Sequence, residues 1–202
     1  MKPILFNTEM VRVILDGRKT TTRRIIKPQC RRNFIGTGID GKPAECRMID
    51  IDTQKIVRHA IPPFQPGDVL YVRETWMPET EQGNSIGSYL YKASDKPEPD
   101  GDYPLKWHPS IHMPKEAARI FLKVADVKAE RLQEIDKLWR NYDREGMRNP
   151  KFESIGIWMQ EKFISIWNST VKKSDLDRYG WAANPWVWVI SFERCEKPGD
   201  GS

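Results

Sequence analysis

The spacing of apolar positions changes several times along the chain, and each change marks an element. Ile4, Leu5 and Phe6 form a short apolar run, and Asn7-Thr8 then offers an N-cap to a segment with Val11, Ile14 and Leu15 on one helical face. Gly17 predicts the stop of that two-turn helix. The chain next enters Arg18-Lys19-Thr20-Thr21-Thr22-Arg23-Arg24, a polar, β-branched stretch whose propensity predicts an extended segment. Residues 28–67 carry scattered Gly, Pro and charge with poor periodicity and read as a long excursion, with a hairpin signal at Asp40-Gly41.

Gln65-Pro66-Gly67-Asp68 is a turn signal, after which residues 69–76 read as a strand, followed by another at 89–92. Residues 95–114 form a Pro-rich loop that holds Trp107, Ile111 and Met113, so it is expected to fold back over something. The alternation of 120–127 predicts a long strand with a bend near Ala125-Asp126. Ile135, Leu138, Trp139 and Tyr142 then mark the stripe of an amphipathic helix ending near Gly146. A second helix carries Ile155, Trp158, Met159, Ile166 and Trp167 on one side. Past Pro185, residues 186–192 are apolar on both faces at first, the pattern of a central strand. Five or six strands with about three helices and no regular βαβ alternation predict an α+β fold, built as a small mixed β-barrel.

At 202 residues, one domain over 1–195 with a loose tail at 196–202 is the expected organisation, and a monomer the expected state. A net charge of +5 modestly favours a polyanionic partner such as nucleic acid. No apolar run approaches the roughly eighteen residues that span a bilayer, and Glu9 interrupts the N-terminus before a signal-peptide core could form, so a cytoplasmic protein without a membrane partner is expected. Cys30, Cys46 and Cys195 lack CxxC or zinc spacing, and His108 and His112 flank Pro109 rather than share a helix face, so no metal and no cofactor are expected.

Four places could carry chemistry. Between Gly17 and Arg24, four cations (Arg18, Lys19, Arg23, Arg24) stand among three hydroxyls (Thr20, Thr21, Thr22); this is either a solvated edge strand or an anion cradle. Arg73 and Glu74 are successive strand residues, so one of them points among apolar neighbours, as a structural ion pair or as a pocket wall facing the first strand's cations. Glu145 lies on the buried stripe if its helix persists, and reaches water if the helix frays before Gly146. The loop from Trp107 to Pro114 is a hydrophobic plug, a lid whose Trp107 or His112 stacks on a base, or both.

These residues also occur in a familiar order. Gly17 to Arg24, then Pro66-Gly67-Asp68-Val69-Leu70-Tyr71-Val72-Arg73-Glu74-Thr75-Trp76, then Glu130-Arg131-Leu132-Gln133-Glu134-Ile135 with Glu145-Gly146-Met147, resemble an ASCH domain of the PUA-like superfamily. With Trp107-His108-Pro109-Ser110-Ile111-His112-Met113-Pro114 and the Trp-rich last strand, the chain resembles the longer ASCH proteins of tailed phages and prophages, which places it in a bacterial host cell. The resemblance implies a PUA-like small mixed barrel, with insertions at about 28–64 and 77–114, and binding of RNA or a modified nucleotide or nucleoside. A compact branch of the family is an amidohydrolase that removes the acetyl group from cytidine acetylated on its exocyclic nitrogen, and another member is a ribonuclease. Carried over, the catalytic groups are Lys19, Thr22 and Glu145, and Arg24 is the motif's terminal arginine. Arg18, Thr21, Arg23, Arg24, Arg73, Glu74, Trp107 and His112 are the expected substrate or nucleic-acid contacts. A non-catalytic binding module is the alternative. Lys19 and Thr22 are three residues apart, which places them on opposite faces of a regular strand unless the backbone bulges.

Overall fold

A computed structural model describes residues 1–27, 29, 34–37, 45–49, 56–81, 84–95, 106–137, 142, 144–147 and 156–199. Among these the fold is mixed α+β, with sheets of five, three and two strands and three α-helices. The strands of the largest sheet are β1 (Lys2–Leu5), β2 (Thr21–Ile25), β6 (Val69–Arg73), β9 (Phe121–Arg131) and β10 (Trp186–Cys195), hydrogen-bonded in the order β1-β6-β9-β10-β2. Among the described residues no β1–β2 pairing closes this order into a ring. The chain divides into two compact units, one formed by residues 1–17, 68–123 and 193–202, the other by 18–67 and 124–192.

In the first unit β1 runs parallel to β6, and β6 antiparallel to β9. Helix α1 (Thr8–Leu15) forms where the periodicity places it: the Asn7 side chain accepts the Met10 N–H, and Val11 and Ile14 are buried. Gly17, at φ +72, takes the left-handed conformation that reverses the chain after the helix. The single strand expected over 69–76 is two. β6 ends at Arg73, and β7 (Trp76–Glu81) restarts to pair with β8 (Asn84–Tyr91) in a hairpin whose register shifts between Pro78 and Thr80. The break falls at Glu74, whose N–H bonds to Met113 Sδ instead of joining a ladder.

The second unit holds a difference from the sequence reading. The excursion over 28–67 contains three strands, β3 (Phe34–Thr37), β4 (Glu45–Ile49) and β5 (Ile56–Ala60), paired antiparallel as a sheet of their own. Each is only four or five residues long, and of the three only β4 alternates, Glu45 and Arg47 with Cys46 and Met48. β3 and β4 flank the expected Asp40-Gly41 turn, which itself lies outside the described residues. β10 is an interior strand as expected: Val187, Trp188, Val189 and Ile190 are buried in succession. The alternation of β9 slips at Ala125-Asp126, both exposed, where a bend was expected.

The expected helix over 135–146 begins instead as a 3-10 turn, Leu132–Lys137, while residues 138–141 lie outside the described set. Ile135 and Tyr142 are nevertheless fully buried, in one core with Phe163 and Trp167 of α2 (Gly156–Thr170), Tyr179 of α3 (Leu176–Tyr179), and Val187 and Val189. Phe163 meets Tyr142 edge-on at 5.8 Å and stacks on Trp167 at 6.3 Å. Such ring pairs add about 0.5–1.5 kcal/mol each beyond area burial. They fix Tyr142, whose carbonyl matters below. Among the described residues no helix is long and apolar enough to cross a membrane.

The cap on α1 is directly testable. Asn7→Ala is expected to lower stability by about 1 kcal/mol in a urea titration and Asn7→Gly by only a few tenths; equal losses would remove the side-chain cap as the cause.

Candidate functional site

The second unit gathers its charges around Glu145. After the Gly17 turn, Lys19 forms an isolated antiparallel bridge with Glu145, and the Thr20 N–H donates to the Arg144 carbonyl at 2.8 Å. The Phe192 N–H donates to the Thr20 carbonyl at 2.9 Å, which stitches this segment to β10. From there, two-residue alternation puts Lys19, Thr21 and Arg23 on one side. All three donate to the same carboxylate: Lys19 Nζ to Oε2 at 2.6 Å, Thr21 Oγ1 to Oε1 at 3.1 Å and Arg23 Nη1 to Oε1 at 2.6 Å.

Glu145 is turned inward by its own local backbone. The N–H groups of Glu145 and Met147 both donate to the carbonyl of buried Tyr142, at 3.1 and 3.0 Å, and Gly146 takes φ +78 between them. Of the two readings open from the sequence, inward or frayed to water, the structure has the inward one. The Lys19 side chain has no exposed surface, and those of Arg23 and Glu145 have 4% and 5%. Burial would raise the Glu145 pKa, but the charges of Lys19 and Arg23 and the bonds from Lys19 and Thr21 hold it below the ordinary carboxylate value. Lys19 is held below the ordinary lysine value by burial, against the pull of Glu145, with Arg24 and Arg23 adding repulsion.

The network reaches a cavity through two of its members. Thr21 and Arg23 line a cavity of about 90 Å³ together with Asp126, Lys128, Glu130 and Arg144. Arg23 Nη2 lies 3.8 Å from Glu130, which pairs with Lys128 at 2.5 Å. Arg23 Nε is buried and makes no hydrogen bond.

The remaining expected site residues fall elsewhere. Thr22 is buried and stands opposite Ile190, on the other side of β2 from Lys19, Thr21 and Arg23. The hydroxyl beside Glu145 therefore belongs to Thr21, because β2 alternates regularly instead of bulging. Arg24 follows Thr22's side by the same alternation and is half-buried, as is Arg18. Burial drives the Arg24 pKa down, against the pull of Glu145.

In the first unit, Glu74 is 1% exposed, and Arg119 clasps both its oxygens, Nε to Oε1 at 2.9 Å and Nη2 to Oε2 at 3.1 Å. Of the two readings open from the sequence, a structural ion pair or a pocket wall facing the cations after Gly17, Glu74 makes the ion pair: Arg119, which also lies 4.0 Å over the Tyr91 ring, takes the whole carboxylate. Arg73 donates from Nε to the Met113 carbonyl at 2.8 Å. His112 is exposed and Trp107 half-buried. It is His108 that meets an aromatic ring, pairing with Trp76 through the backbone and lying 5.2 Å from its indole. The sequence did not single out Arg119, and it named His108 only beside His112 in the Trp107–Pro114 loop; the one available signal for Arg119 was that a buried Glu74 requires a cation.

Compared with protein-family models, characterised proteins and solved structures, the chain finds no match. Among the described residues no group of three or more His, Cys, Asp or Glu is placed to hold a metal ion.

Removing Glu145 strands two buried cations, whereas removing Lys19 leaves the carboxylate with Arg23 and Thr21. Glu145→Gln is therefore expected to cost about 3–5 kcal/mol in urea denaturation, and Lys19→Met distinctly less; the reverse order would show that Lys19, not Glu145, holds the cluster together.

The pH response follows from the same geometry. Because the folded-state pKa of Glu145 lies below its ordinary 4.5, its stabilisation is present above that value and is lost as pH falls through the folded one. Thermal melting followed downward from neutral pH is expected to show a flatter acid limb in Glu145→Gln than in the parent protein.

Proposed function

We propose that this chain is an ASCH-like protein of the PUA-like superfamily that binds RNA or a modified nucleotide at the charged cavity beside β2. The observation that carries this reading is the Lys19–Thr21–Arg23–Glu145 network, buried behind the cavity and opening on it through Thr21 and Arg23. Those residues belong to the Gly17–Arg24 and Glu145-Gly146-Met147 motifs on which the resemblance rests. The cationic residues on the wall supply attraction for phosphate-bearing ligands, which in nucleic-acid binding falls steeply with salt.

Hydrolysis of an N-acyl group from cytidine is the second reading, and one observation favours it. Lys19, its pKa lowered by burial, sits 2.6 Å from a carboxylate that orients it, the arrangement of a general base. In that reaction Lys19, its ammonium proton first passed to Glu145, takes a proton from water as the water oxygen bonds to the acyl carbon. The C–N bond then breaks, and the proton passes to the departing amine, giving acetate and cytidine. Water, not Thr22, is the nucleophile here, since Thr22 lies across the strand. Lys19 Nζ is sealed, so the substrate meets it only when Arg23 parts from Glu145.

Fluorescence titration of a short single-stranded RNA is expected to show saturable binding that weakens steeply with added salt; no saturable binding at low salt would overturn the binding reading. Incubation with acetylcytidine tests the second: acetate release, with Lys19→Ala slower by about 10²-fold or more, would establish hydrolysis, and equal rates would remove Lys19 from it.

A further inference from the structure

The size and lining of the cavity decide which part of a ligand enters it. The cavity has a volume of about 90 Å³. That is well below the roughly 300–1,000 Å³ of pockets that bury a whole drug-sized ligand. One compact group fits, with the rest of the molecule outside. Three cations, Arg23, Lys128 and Arg144, stand on the wall with two carboxylates, Asp126 and Glu130. Glu130 is already shared between Lys128 and Arg23. Arg144 is exposed and makes no ion pair among the described residues. Arg23 is 7% exposed, gives one nitrogen to Glu145, and keeps a buried Nε–H without an acceptor. Behind the wall Lys19 and Arg23 meet the buried carboxylate Glu145, so across wall and interior four cations stand against three carboxylates. A cationic wall with the Thr21 and Ser191 hydroxyls beside it suits an anion, and Val189 is its one apolar member.

We infer that this cavity is a phosphate subsite, in which the exposed Arg144 and Lys128 receive a phosphate group carried by a nucleotide or an RNA, with Arg23 on the wall behind them. The inference rests on the nucleotide-binding reading for the molecule that carries the phosphate, and it favours binding over hydrolysis at this cavity. Asp126 is the opposing charge on the wall. Removing it is expected to tighten phosphate binding, while removing Arg144 loosens it. Both side chains are exposed, so neither substitution threatens the fold.

The test uses the full chain, labelled with ¹⁵N, and follows arginine Nε–H resonances on titration with inorganic phosphate, cytidine, cytidine 5′-monophosphate and a 5′-hydroxyl oligoribonucleotide. Phosphate is expected to shift an arginine Nε–H, and the monophosphate to bind at least about ten-fold tighter than cytidine, as a charged hydrogen bond provides. Arg144→Ala is expected to lose about ten-fold of phosphate-bearing affinity and Asp126→Asn to gain about two- to five-fold, leaving cytidine unchanged. Comparison of the monophosphate with the oligoribonucleotide tells a terminal phosphate from a backbone one. Equal affinity for cytidine and its monophosphate, with both variants neutral, overturns the subsite and leaves nucleoside binding standing. A phosphate response sensitive to Arg144 and Asp126, without tighter binding of either nucleotide ligand than of phosphate, keeps the subsite and overturns the nucleotide reading. No response to any of the four overturns both.

Discussion

A carboxylate withdrawn from water must be surrounded by donors, and the Glu145 side chain is where this chain meets that requirement. Its donors are spaced two apart: the pleat of β2 brings Thr21 and Arg23 to the same side, and the bridge between Lys19 and Glu145 brings Lys19 to them. The acceptor is held from the other direction by an aromatic core. Phe163 and Trp167 pack Tyr142 in place, the Tyr142 carbonyl takes the Glu145 and Met147 N–H groups, and Gly146 permits the reversal between them. Hydrophobic packing sets the position of the charge, and the charge then organises the first strand.

The buried acids of the two units solve the same physical problem differently. Glu74 is met by a single guanidinium in two-pronged geometry, and Arg119 in turn lies on Tyr91 and bonds to Ser94, so charge is balanced locally. Glu145 is met by two cations and a hydroxyl, with one guanidinium reaching onward to Glu130. A balanced pair is a structural device. A cluster with cations in excess and a cavity alongside is suited to receiving something negative, and this contrast separates the functional candidate from the structural one more sharply than residue type does.

Burial also divides binding from catalysis. Thr21 and Arg23 stand on the cavity wall, whereas Lys19 lies wholly behind them. A ligand therefore meets the network first through the groups best suited to hold an anion, and the group best suited to move a proton is one layer deeper. Chemistry at Lys19 needs the strongest contacts in the network to part.

Local periodicity and capping were enough to place α1 with its Asn7 cap, the interior character of β10, and the strand start at Val69 after the Gly67 turn, because these depend on neighbours a few residues apart. The unusual density of cations and hydroxyls after Gly17, and the two alternatives for Glu145, were legible for the same reason. What the sequence left open were the partners. The three strands between Phe34 and Ala60 are only four or five residues long, too short to show a period, and only cross-strand pairing reveals them. Arg119 meets Glu74 from 45 residues away, and Glu145 meets Lys19 from 126. The choice of Thr21 over Thr22 turned on whether β2 bulges. Contacts closed by tertiary packing leave no period in the chain, so composition could nominate the charged residues of this site, but only the fold decided which of them converge and which of those face the cavity.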